Sequence, residues 1–408
     1  MHIDVNNAFL SWSAIDLLNH GFKKDIRTIP SIIGGDEEAR HGIVLAKSTP
    51  AKKYGIVTAE TLYQARKKCP NLEIYPPNYP FYIEMSKKLF ELISKYTPDI
   101  EIFSIDECFI EYTYVKNLYG DPIKFAYKLK DEIYNTLGFT VNIGIAENKL
   151  CAKMASDFEK PNKVHTLFKD EIESKMWPLD VGELLWVGKK SKERLYTLGI
   201  RSIGALAKSD YTNLYYYFKN QTKQMIDHAN GIDNDPVITE REDAKGMSRT
   251  RTIDHDVNNR FELYDYLNVI SNDLAIALRK QDKYTKTIAV ILKDTYFKTK
   301  THQRKLSNPT NSTAKIYEVC KELLDETWNG ESIRLIGIRL DNLSENSTYQ
   351  ISLFENIENH EKDTKLDSVM DTLKTKYGSK IINKASLLPK NKKMWYNLYK
   401  NRRGKEYG

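Results

Sequence analysis

The chain has 408 residues, of which 41% are hydrophobic and 29% charged, with a net charge of +7 at neutral pH. This composition is typical of a globular protein of several domains, and the excess of positive charge favours a polyanionic partner. The four cysteines are scattered, the histidines form no zinc motif, and no apolar run approaches the ~18 residues of a membrane span. We therefore expect a cytoplasmic protein without a disulfide framework, structural zinc or a membrane anchor.

The first predicted element is a short strand that ends at Asp4. Residues 11–75 are rich in lysine and interrupted by proline and glycine, which is typical of a small, loop-rich α/β unit. The run Pro76-Pro77-Asn78-Tyr79-Pro80 breaks regular structure. After it, apolar residues at helical spacing predict a helix over 83–96.

A half-buried strand hairpin is predicted over 100–113, because apolar and polar residues alternate in its first half. A helix over 122–137, a strand over 140–146 and a helix that begins at Asn148 follow it. Together with the first strand these elements predict one α+β domain, into which residues 11–75 are inserted.

The second half of the chain divides at a polar linker, Glu240–Lys245. Before it, residues 170–235 predict a helical domain. After it, residues 247–345 predict a compact α/β module, and the tail 346–408 ends in a basic, tyrosine-rich stretch. The predicted helices and strands of the module are Tyr264–Arg279, Thr287–Leu292, Ser312–Trp328 and Arg334–Leu340.

The tetrad Ser104-Ile105-Asp106-Glu107 and the distant Asp4 carry the most specific chemistry. Carboxylates that are far apart in sequence and lie at strand ends suit a site for two divalent cations about 3.5–4 Å apart. Such a site aligns an attacking hydroxyl with a phosphate. For the tetrad alone, an acidic hairpin turn is the alternative interpretation.

Further segments strengthen this interpretation. The relevant segments, in chain order, are HIDVNNAFLSW (2–12), LAKSTPAKKYGI (45–56), SIDECFIEYT (104–113), NIGIAENKLCAKMASDFEKPNK (142–163), LWVGKKSKERLYTLGIRSIGALA (185–207) and QISLF (350–354). In these segments the chain resembles the Y-family DNA polymerases of the DinB/UmuC type, over roughly residues 1–354. Six motifs in the same order are hard to obtain by chance.

The resemblance implies a multidomain α+β fold shaped as a right hand. Its parts are a catalytic palm, small fingers, a helical thumb with a helix-hairpin-helix, and an α/β little finger. The expected ranges are palm 1–10 and 76–168, fingers 11–75, thumb 169–235, linker 236–246, little finger 247–345, and a tail 346–408 with a clamp-binding peptide.

The resemblance also implies an activity, namely template-directed addition of deoxynucleotides to a primer 3′-end with two Mg²⁺ ions. Low fidelity, no proofreading and translesion synthesis in an SOS-type damage response are part of the same expectation. Asp4 and Asp106 would bridge both ions, the carbonyl of Val5 would be a further ligand, and Glu107 would sit over the primer terminus. A solvated Glu107 on the opposite strand face is the alternative.

The incoming nucleotide is expected at the turn after the first strand. Backbone amides of Asn6, Asn7 and Ala8 can reach triphosphate oxygens, as successive amides in a turn often do. Phe9 aligns with the family's steric gate, a ring that clashes with a ribose 2′-hydroxyl. A core aromatic is the alternative for Phe9.

Thr49 and Lys52 occupy the two positions where the family more often has a tyrosine and an arginine on the phosphates. Lysine binds phosphate as a point charge without the bidentate geometry of arginine. Lys53 is a rival for Lys52, and a solvated lysine is the alternative for each. Lys160, in the Lys-Pro-Asn motif, is the other cation expected on the phosphates.

Contacts to primer-template DNA are expected from two places. Gly188, Lys189 and Lys190 open a helix whose free amides and dipole favour a phosphate, with ordinary helix packing as the alternative. Arg249 and Arg251, with lysines between 298 and 305, are expected to place the little finger on the duplex or to be plain surface.

An apolar pair in the polar tail, Leu353-Phe354, suggests an anchor in a partner's pocket. With Gln350 and Ser352 it resembles the bacterial sliding-clamp-binding peptide, and a short edge strand is the alternative. UmuD-like or recombinase partners are further candidates for a chain expected to be a monomer. Two other functions stay open: a palm-based nucleotidyl cyclase, and a non-catalytic accessory that binds DNA or the clamp.

Overall fold

The computed structural model describes residues 1–35, 42–240, 243–345, 357–378 and 382, without the side chains of 357–364. These residues form two compact units. The first contains 1–35 and 43–240, and the second contains the residues from 243 onward. Within the described ranges, the helices are too short or too polar to cross a bilayer.

The first unit begins with a strand and a helix, and ends in a run of helices. Its elements, in chain order, are β1 (His2–Val5), α1 (Ala8–Asn19), β2 (Ser31–Gly34), β3 (Val44–Lys47), α2 (Thr49–Lys52), α3 (Leu62–Lys68), β4 (Glu73–Tyr75), α4 (Tyr79–Ile93), β5 (Ile100–Ile102), β6 (Glu107–Ile110), α5 (Lys116–Tyr119), α6 (Pro122–Leu137), β7 (Val141–Ile145), α7 (Lys149–Asp157), β8 (Val164–Thr166), α8 (Lys189–Thr197), α9 (Ile203–Ala207), α10 (Tyr211–Phe218) and α11 (Gln221–Ala229).

A sheet in the order β5-β6-β1-β7-β8 forms the centre of this unit. Strand β1 runs antiparallel to both of its neighbours. Because strand residues alternate between faces, Ile3 and Val5 enter an apolar core with residues of α1, α4 and α6. His2 and Asp4 consequently lie on the opposite face, which α7 covers.

Gly144 in β7 lets α7 approach this polar face unusually closely. A Cβ at this position would overlap the carbonyl oxygen of Ala152 and lie 2.6 Å from the amide nitrogen of Ser156. Glycine is therefore required for contact between the backbones of α7 and β7. Side chains of α7 reach the centre of the sheet as a result.

A smaller sheet in the order β3-β2-β4 belongs to the region expected to be the fingers. The expected boundary after residue 10 falls inside α1, whose Trp12 packs in the core of the larger sheet while Leu10 packs towards the smaller one. The helix predicted over 83–96 is Tyr79–Ile93, because Pro80 lies in its first turn, where proline is tolerated. The expectation that 76–80 breaks structure is thus wrong at its last two residues.

Helices α8 to α11 share a third core with residues of α7. The segment after α11 then returns along the larger sheet. The side-chain amide of Asn148 donates to the carbonyl of Gly231 (2.8 Å), and the amide of Leu150 donates to Asp233 (3.0 Å). Glu101 accepts from the amide of Ile238 (2.8 Å).

The second unit consists of an antiparallel sheet in the order β11-β10-β12-β9, with helices α12 and α13 packed on its apolar core. Its elements are β9 (Gly246–Val257), α12 (Arg260–Arg279), β10 (Tyr284–Asp294), β11 (Thr299–Thr310), α13 (Thr313–Thr327), β12 (Ile333–Ser344) and α14 (Ile357–Tyr377).

Strands β9 and β11 were not among the predicted elements, and the expected linker 236–246 ends inside β9. The expected tail contains α14, which packs on the second unit. Arg279 binds Asp367 (3.1 Å) and Asp371 (2.6 Å) of that helix. Gln350, Ser352, Leu353 and Phe354 lie outside the described residues.

Candidate active site

The acidic residues meet on the polar face of the larger sheet. Asp4 lies inside β1, and Glu107, the first residue of β6, is its direct cross-strand partner. Directly opposed residues share a face, so the two carboxylates lie side by side. Asp106 lies in the turn before β6, where its carbonyl accepts from the amide of Val5 (3.0 Å) and its side chain accepts from the Ser104 hydroxyl (2.6 Å).

Two details differ from the expected geometry. Asp4 is within its strand and not at the end, and the strand before the tetrad stops at Ile102, so that residues 103–106 form the turn. Glu107 does not point into solvent, because its side chain is largely buried and ion-paired.

Asp4 is a carboxylate in an unfavourable environment. Burial raises its pKa to about 6, and the nearby Glu107 and Asp106 add to the shift, while an ion pair with Lys160 opposes it. Lys160 also binds Asp157 (2.8 Å). The site therefore concentrates negative charge that cations must offset.

Glu107 is contacted by Lys153 and His2, two residues that the sequence analysis did not single out. Nζ of Lys153 lies 2.5 Å from Oε2 of Glu107, and Nε2 of His2 lies 3.1 Å from the same oxygen. Burial opposes the ionisation of Glu107, but the close contacts of His2 and Lys153 outweigh this effect and lower the pKa of Glu107 to about 2.

A signal for Lys153 was present in the sequence. Lys149 and Lys153 stand four residues apart on α7, an arrangement that destabilises a helix by like-charge repulsion unless acidic partners face it. The structure supplies those partners, because Lys149 binds Glu101 (2.7 Å) and Lys153 binds Glu107.

The donor set suits a hard divalent cation, since Asp4, Asp106 and Glu107 offer carboxylate oxygens from one region of the sheet. In the described part of the chain, no three acidic, histidine or cysteine side chains converge closely enough to enclose a metal. Asp4 is turned to Lys160 and Glu107 to Lys153. A cation would therefore compete with Lys160 for Asp4 and with Lys153 for Glu107.

The turn after β1 only partly suits the expected triphosphate site. The amide of Asn6 already donates to the carbonyl of Thr140 (2.9 Å), so a contact with a triphosphate oxygen would have to share or replace this hydrogen bond. Asn7 has φ 52° and precedes α1, and its side chain donates to the carbonyl of Lys47 (2.7 Å). The amides of Asn7 and Ala8 stand where a helix start leaves N–H groups without intrahelical partners.

Phe9 is half-buried beside this turn. Its ring stacks on Tyr82 with centroids 4.8 Å apart and an interplanar angle of 11°. The edge of Tyr79 also contacts it, at 6.1 Å. The ring is therefore held in a fixed orientation with part of its surface accessible.

The expected phosphate contacts in the fingers lie on α2. Thr49, Lys52 and Lys53 are exposed at this short helix, which Ser48 caps. In the described ranges, these three residues form no hydrogen bond or ion pair with Asp4, Asp106 or Glu107. Lys160, by contrast, is brought directly to Asp4.

The expected DNA contacts divide between the two units. In the first, Gly188 precedes α8, and Lys189 and Lys190 are exposed in its first turn. In the second, Arg249 and Arg251 lie on β9, where Arg249 binds Asp273 (2.7 Å). Arg249 is thus not a free cation.

Comparison with known proteins identifies the family. The model of the impB/mucB/samB family matches residues 3–157, and the model of that family's C-terminal domain matches residues 244–353. A Y-family DNA polymerase chimera shares the fold, with a TM-score of 0.73 at 23% identity over 85% of this chain and 99% of that one.

Relatives of known name match over almost the whole length. DNA polymerase IV of Clostridium acetobutylicum is 44% identical over 396 residues, which are 96% of this chain and 98% of that protein. DNA polymerase IV of Alkaliphilus oremlandii is 36% identical over 89% of this chain and 93% of its own length. DNA polymerase IV 2 of Bacillus subtilis is 33% identical over 89% of each. The chain therefore belongs to the impB/mucB/samB family, the Y-family DNA polymerases.

Proposed function

We propose that this chain is a translesion DNA polymerase that adds deoxynucleotides to a primer 3′-end under the direction of a template. One observation carries the proposal. Asp4 and Glu107 are directly opposed on adjacent strands, with Asp106 beside them, in a chain whose relatives over nearly full length are named DNA polymerase IV.

The acidic residues would hold divalent cations, and we propose two Mg²⁺ ions. Such ions, when bound, lower the pKa of an attacking hydroxyl and stabilise the charge of phosphoryl transfer. Asp4 and Asp106 would be shared ligands, the carbonyl of Val5 a further one, and Glu107 would face the primer terminus. Hard oxygen donors and the mutual repulsion of these carboxylates support the assignment.

Lys160 and the start of α1 would bind the triphosphate. Lys160 contacts Asp4, and its flexible stem lets the ammonium turn from this carboxylate to a phosphate oxygen. The amides of Asn7 and Ala8 point out of the helix start, a usual place for anions. Thr49 and Lys52 of α2 would contact the same triphosphate from the fingers.

Phe9 would select the sugar. Its stacking on Tyr82 fixes the ring, and a fixed ring rejects a 2′-hydroxyl more sharply than a mobile one. The ring would therefore act as a steric gate against ribonucleotides.

DNA and protein partners complete the proposal. Gly188, Lys189 and Lys190 would bind the duplex backbone, with Arg249 and Arg251 of the second unit, and binding would therefore be sequence-independent and salt-sensitive. A sliding clamp would bind 350–354. The same proposal includes low fidelity without proofreading, an SOS-type role, a cytoplasmic location, a monomeric state, and UmuD-like or recombinase partners.

Primer extension tests the proposal and separates its rivals. The purified chain, with a primer-template, deoxynucleoside triphosphates and Mg²⁺, should extend the primer one templated nucleotide at a time. A palm-based cyclase would convert triphosphates without a primer. An accessory protein would bind DNA and extend nothing, and either of these results would overturn the proposal.

A further inference from the structure

We propose that Trp186 contacts DNA, with its indole packed on the sugar-phosphate backbone of the duplex. The residue stands two positions before Gly188, in the turn that leads into α8. The inference deepens the proposed function and rests on it, because it adds a side chain to the surface that is assigned there to Gly188, Lys189 and Lys190.

The backbone at Trp186 has a conformation that suits glycine and not tryptophan. The amide of Val187 donates to the carbonyl of Leu184 (3.0 Å), which closes a β-turn over residues 184–187. Trp186 is the third residue of this turn, and its φ is 73°. A positive φ at the third position is typical of a type II turn, where glycine or asparagine is usual because a larger side chain is strained there. The fold therefore holds this tryptophan in an unfavourable conformation.

The neighbours of Trp186 fix the turn. Leu184 and Val187 are buried in the core that α8 to α11 share with α7, and Leu185 packs against the same core. Of the four residues of the turn, Trp186 alone is exposed. The apolar residues on both sides of the indole thus anchor the backbone, and the indole is directed outward.

The indole itself has no role in packing. It is 70% exposed, whereas the other described tryptophans, Trp12, Trp177 and Trp328, are buried or half-buried. Within the described ranges it forms no hydrogen bond or ring contact. A single exposed aromatic residue is ordinary, but a strained backbone that presents one is not, since such strain is usually retained at functional sites.

The surface next to the indole suits a DNA strand. Gly188, Lys189 and Lys190 are all exposed, and a Cβ at Gly188 would meet no atom within 4 Å. The two lysines offer positive charge to a polyanion, and the open glycine lets a strand approach closely. Lys189 is paired with Glu193 at 4.0 Å, but both side chains are exposed, so a phosphate can displace this contact.

The indole lies within reach of a strand bound at this surface. Consecutive Cα atoms are about 3.8 Å apart, so Trp186 is at most about 7.6 Å from Gly188. The apolar face of an indole can pack on a deoxyribose, and its N–H can donate to a phosphate oxygen. Neither contact depends on the base sequence, as an enzyme that copies any template requires.

Two replacements separate the indole from the turn. Trp186→Ala removes the indole and keeps a Cβ at the positive φ, whereas Trp186→Gly removes both. The Kd for a primer-template, measured by fluorescence anisotropy without nucleotide, should rise at least about fivefold in each, as the loss of one hydrogen bond to a charged group predicts. Trp186→Gly should nevertheless have a higher urea midpoint than Trp186→Ala, because glycine relieves the turn. A residue that only supports the fold would not combine weaker binding with higher stability.

Tyr216→Ala is the matched control. Tyr216 is 72% exposed on α10 of the same unit, so its replacement removes an aromatic side chain of similar exposure. Its Kd should stay within about twofold of the parent's value. In the two Trp186 variants, the loss should be equal for primer-templates of unrelated sequence, because the contact is to the backbone.

Fluorescence quenching reports the indole directly. Acrylamide quenches the emission of exposed indoles, and the difference between the parent and Trp186→Phe isolates the emission of Trp186. We expect bound primer-template to protect this emission from acrylamide. An indole that is equally accessible with and without bound DNA would overturn the inference.

DNA affinity equal to the parent's in both Trp186→Ala and Trp186→Gly would also overturn it, and would assign the indole to another partner. A lower urea midpoint in Trp186→Gly than in Trp186→Ala would contradict the strained turn on which the inference rests. These measurements need no catalysis. If the parent binds primer-template but extends nothing, the proposed function fails while the comparison of affinities still decides the role of Trp186. If the parent binds no DNA, both fail.

Discussion

Asp4 shows, at the scale of a single residue, how a site for cations lowers the stability of the fold that carries it. Its carboxylate is largely buried next to Glu107 and Asp106, and the resulting pKa near 6 means that the charged form is held against its preference. The lysine that pairs with it offsets only part of the cost.

Asp4→Asn should therefore stabilise the metal-free protein. Asp4 binds its proton more tightly when folded than when unfolded, since its pKa is about 6 in the fold and 3.8 as the reference value. The penalty is fully present above pH 6 and disappears below about pH 4. We expect Asp4→Asn to raise the free energy of unfolding by roughly 1–3 kcal/mol at pH 7, and this gain should vanish near pH 4. Urea unfolding in the presence of EDTA measures it.

Asp157→Asn is the matched control, because this exposed carboxylate binds the same Lys160. It should change the free energy of unfolding by no more than about 1 kcal/mol, as exposed ion pairs do. An Asp4→Asn protein that is less stable than its parent at pH 7 would contradict the account.

Phe9→Ala should relax the choice of sugar. Without the ring that stacks on Tyr82, a ribose 2′-hydroxyl meets no clash. The preference for deoxynucleotides over ribonucleotides, measured as the ratio of kcat/KM, should fall at least about tenfold, or ~1.4 kcal/mol. Phe22→Ala, which removes an exposed ring packed on Tyr75, is the control. An unchanged ratio in Phe9→Ala would identify Phe9 as a core residue.

Sequence patterns singled out the acidic residues that the fold brings together, but not the residues that contact them. Asp4, Asp106 and Glu107 stand in recognisable local motifs. His2 and Lys153 contact Glu107 because the fold brings α7 onto β1. Contacts between segments that are distant in sequence leave little local pattern, and here only the spacing of Lys149 and Lys153 indicated them.

At the scale of elements, the approach of α7 to β7 is the contact on which the site depends. Gly144→Ala should break it, because the new Cβ would overlap the backbone of α7. Overpacking against backbone should cost at least about 2–3 kcal/mol in the free energy of unfolding, measured with urea. Gly188→Ala, where a Cβ meets nothing within 4 Å, should leave stability within about 0.5 kcal/mol. Equal stability of the two variants would contradict the described packing.

The strands that sequence analysis missed share a physical cause. Thr299–Thr310 is an edge strand with exposed polar side chains along much of its length, so it lacks the apolar alternation that reveals a half-buried strand. Strand β9 occupies the other edge and is similarly polar. The central strands β10 and β12 were predicted from their apolar centres but are longer than expected. The main extension of β12 is residues 341–344, which are largely polar, and β10 gains Lys293 and Asp294 at its C-terminal end.

At the scale of the whole molecule, the proposed clamp-binding peptide, residues 350–354, would hold the polymerase near the DNA and so sustain synthesis. Leu353 and Phe354 could together contribute roughly 3–5 kcal/mol on burial, partly offset by ordering of the chain. Replacing both by alanine should leave synthesis without a clamp intact and remove stimulation by a loaded clamp.

The control for this pair lies on α14. Leu366 and Val369 of α14 are exposed apolar residues, so their replacement by alanine removes two apolar side chains from another part of the tail. It should leave stimulation by the clamp unchanged. If the Leu353 and Phe354 double variant is stimulated as strongly as the parent, residues 350–354 are not the anchor.

The central claim is that the carboxylates on the polar face of the larger sheet catalyse nucleotide addition. Single-turnover primer extension by Asp106→Asn tests it most directly, with affinity for primer-template measured on the same protein and Glu159→Gln, an exposed carboxylate, as the control. We expect extension to fall at least about a thousandfold while DNA affinity stays within about twofold. Extension at the parent's rate by Asp106→Asn would contradict the assignment of this site.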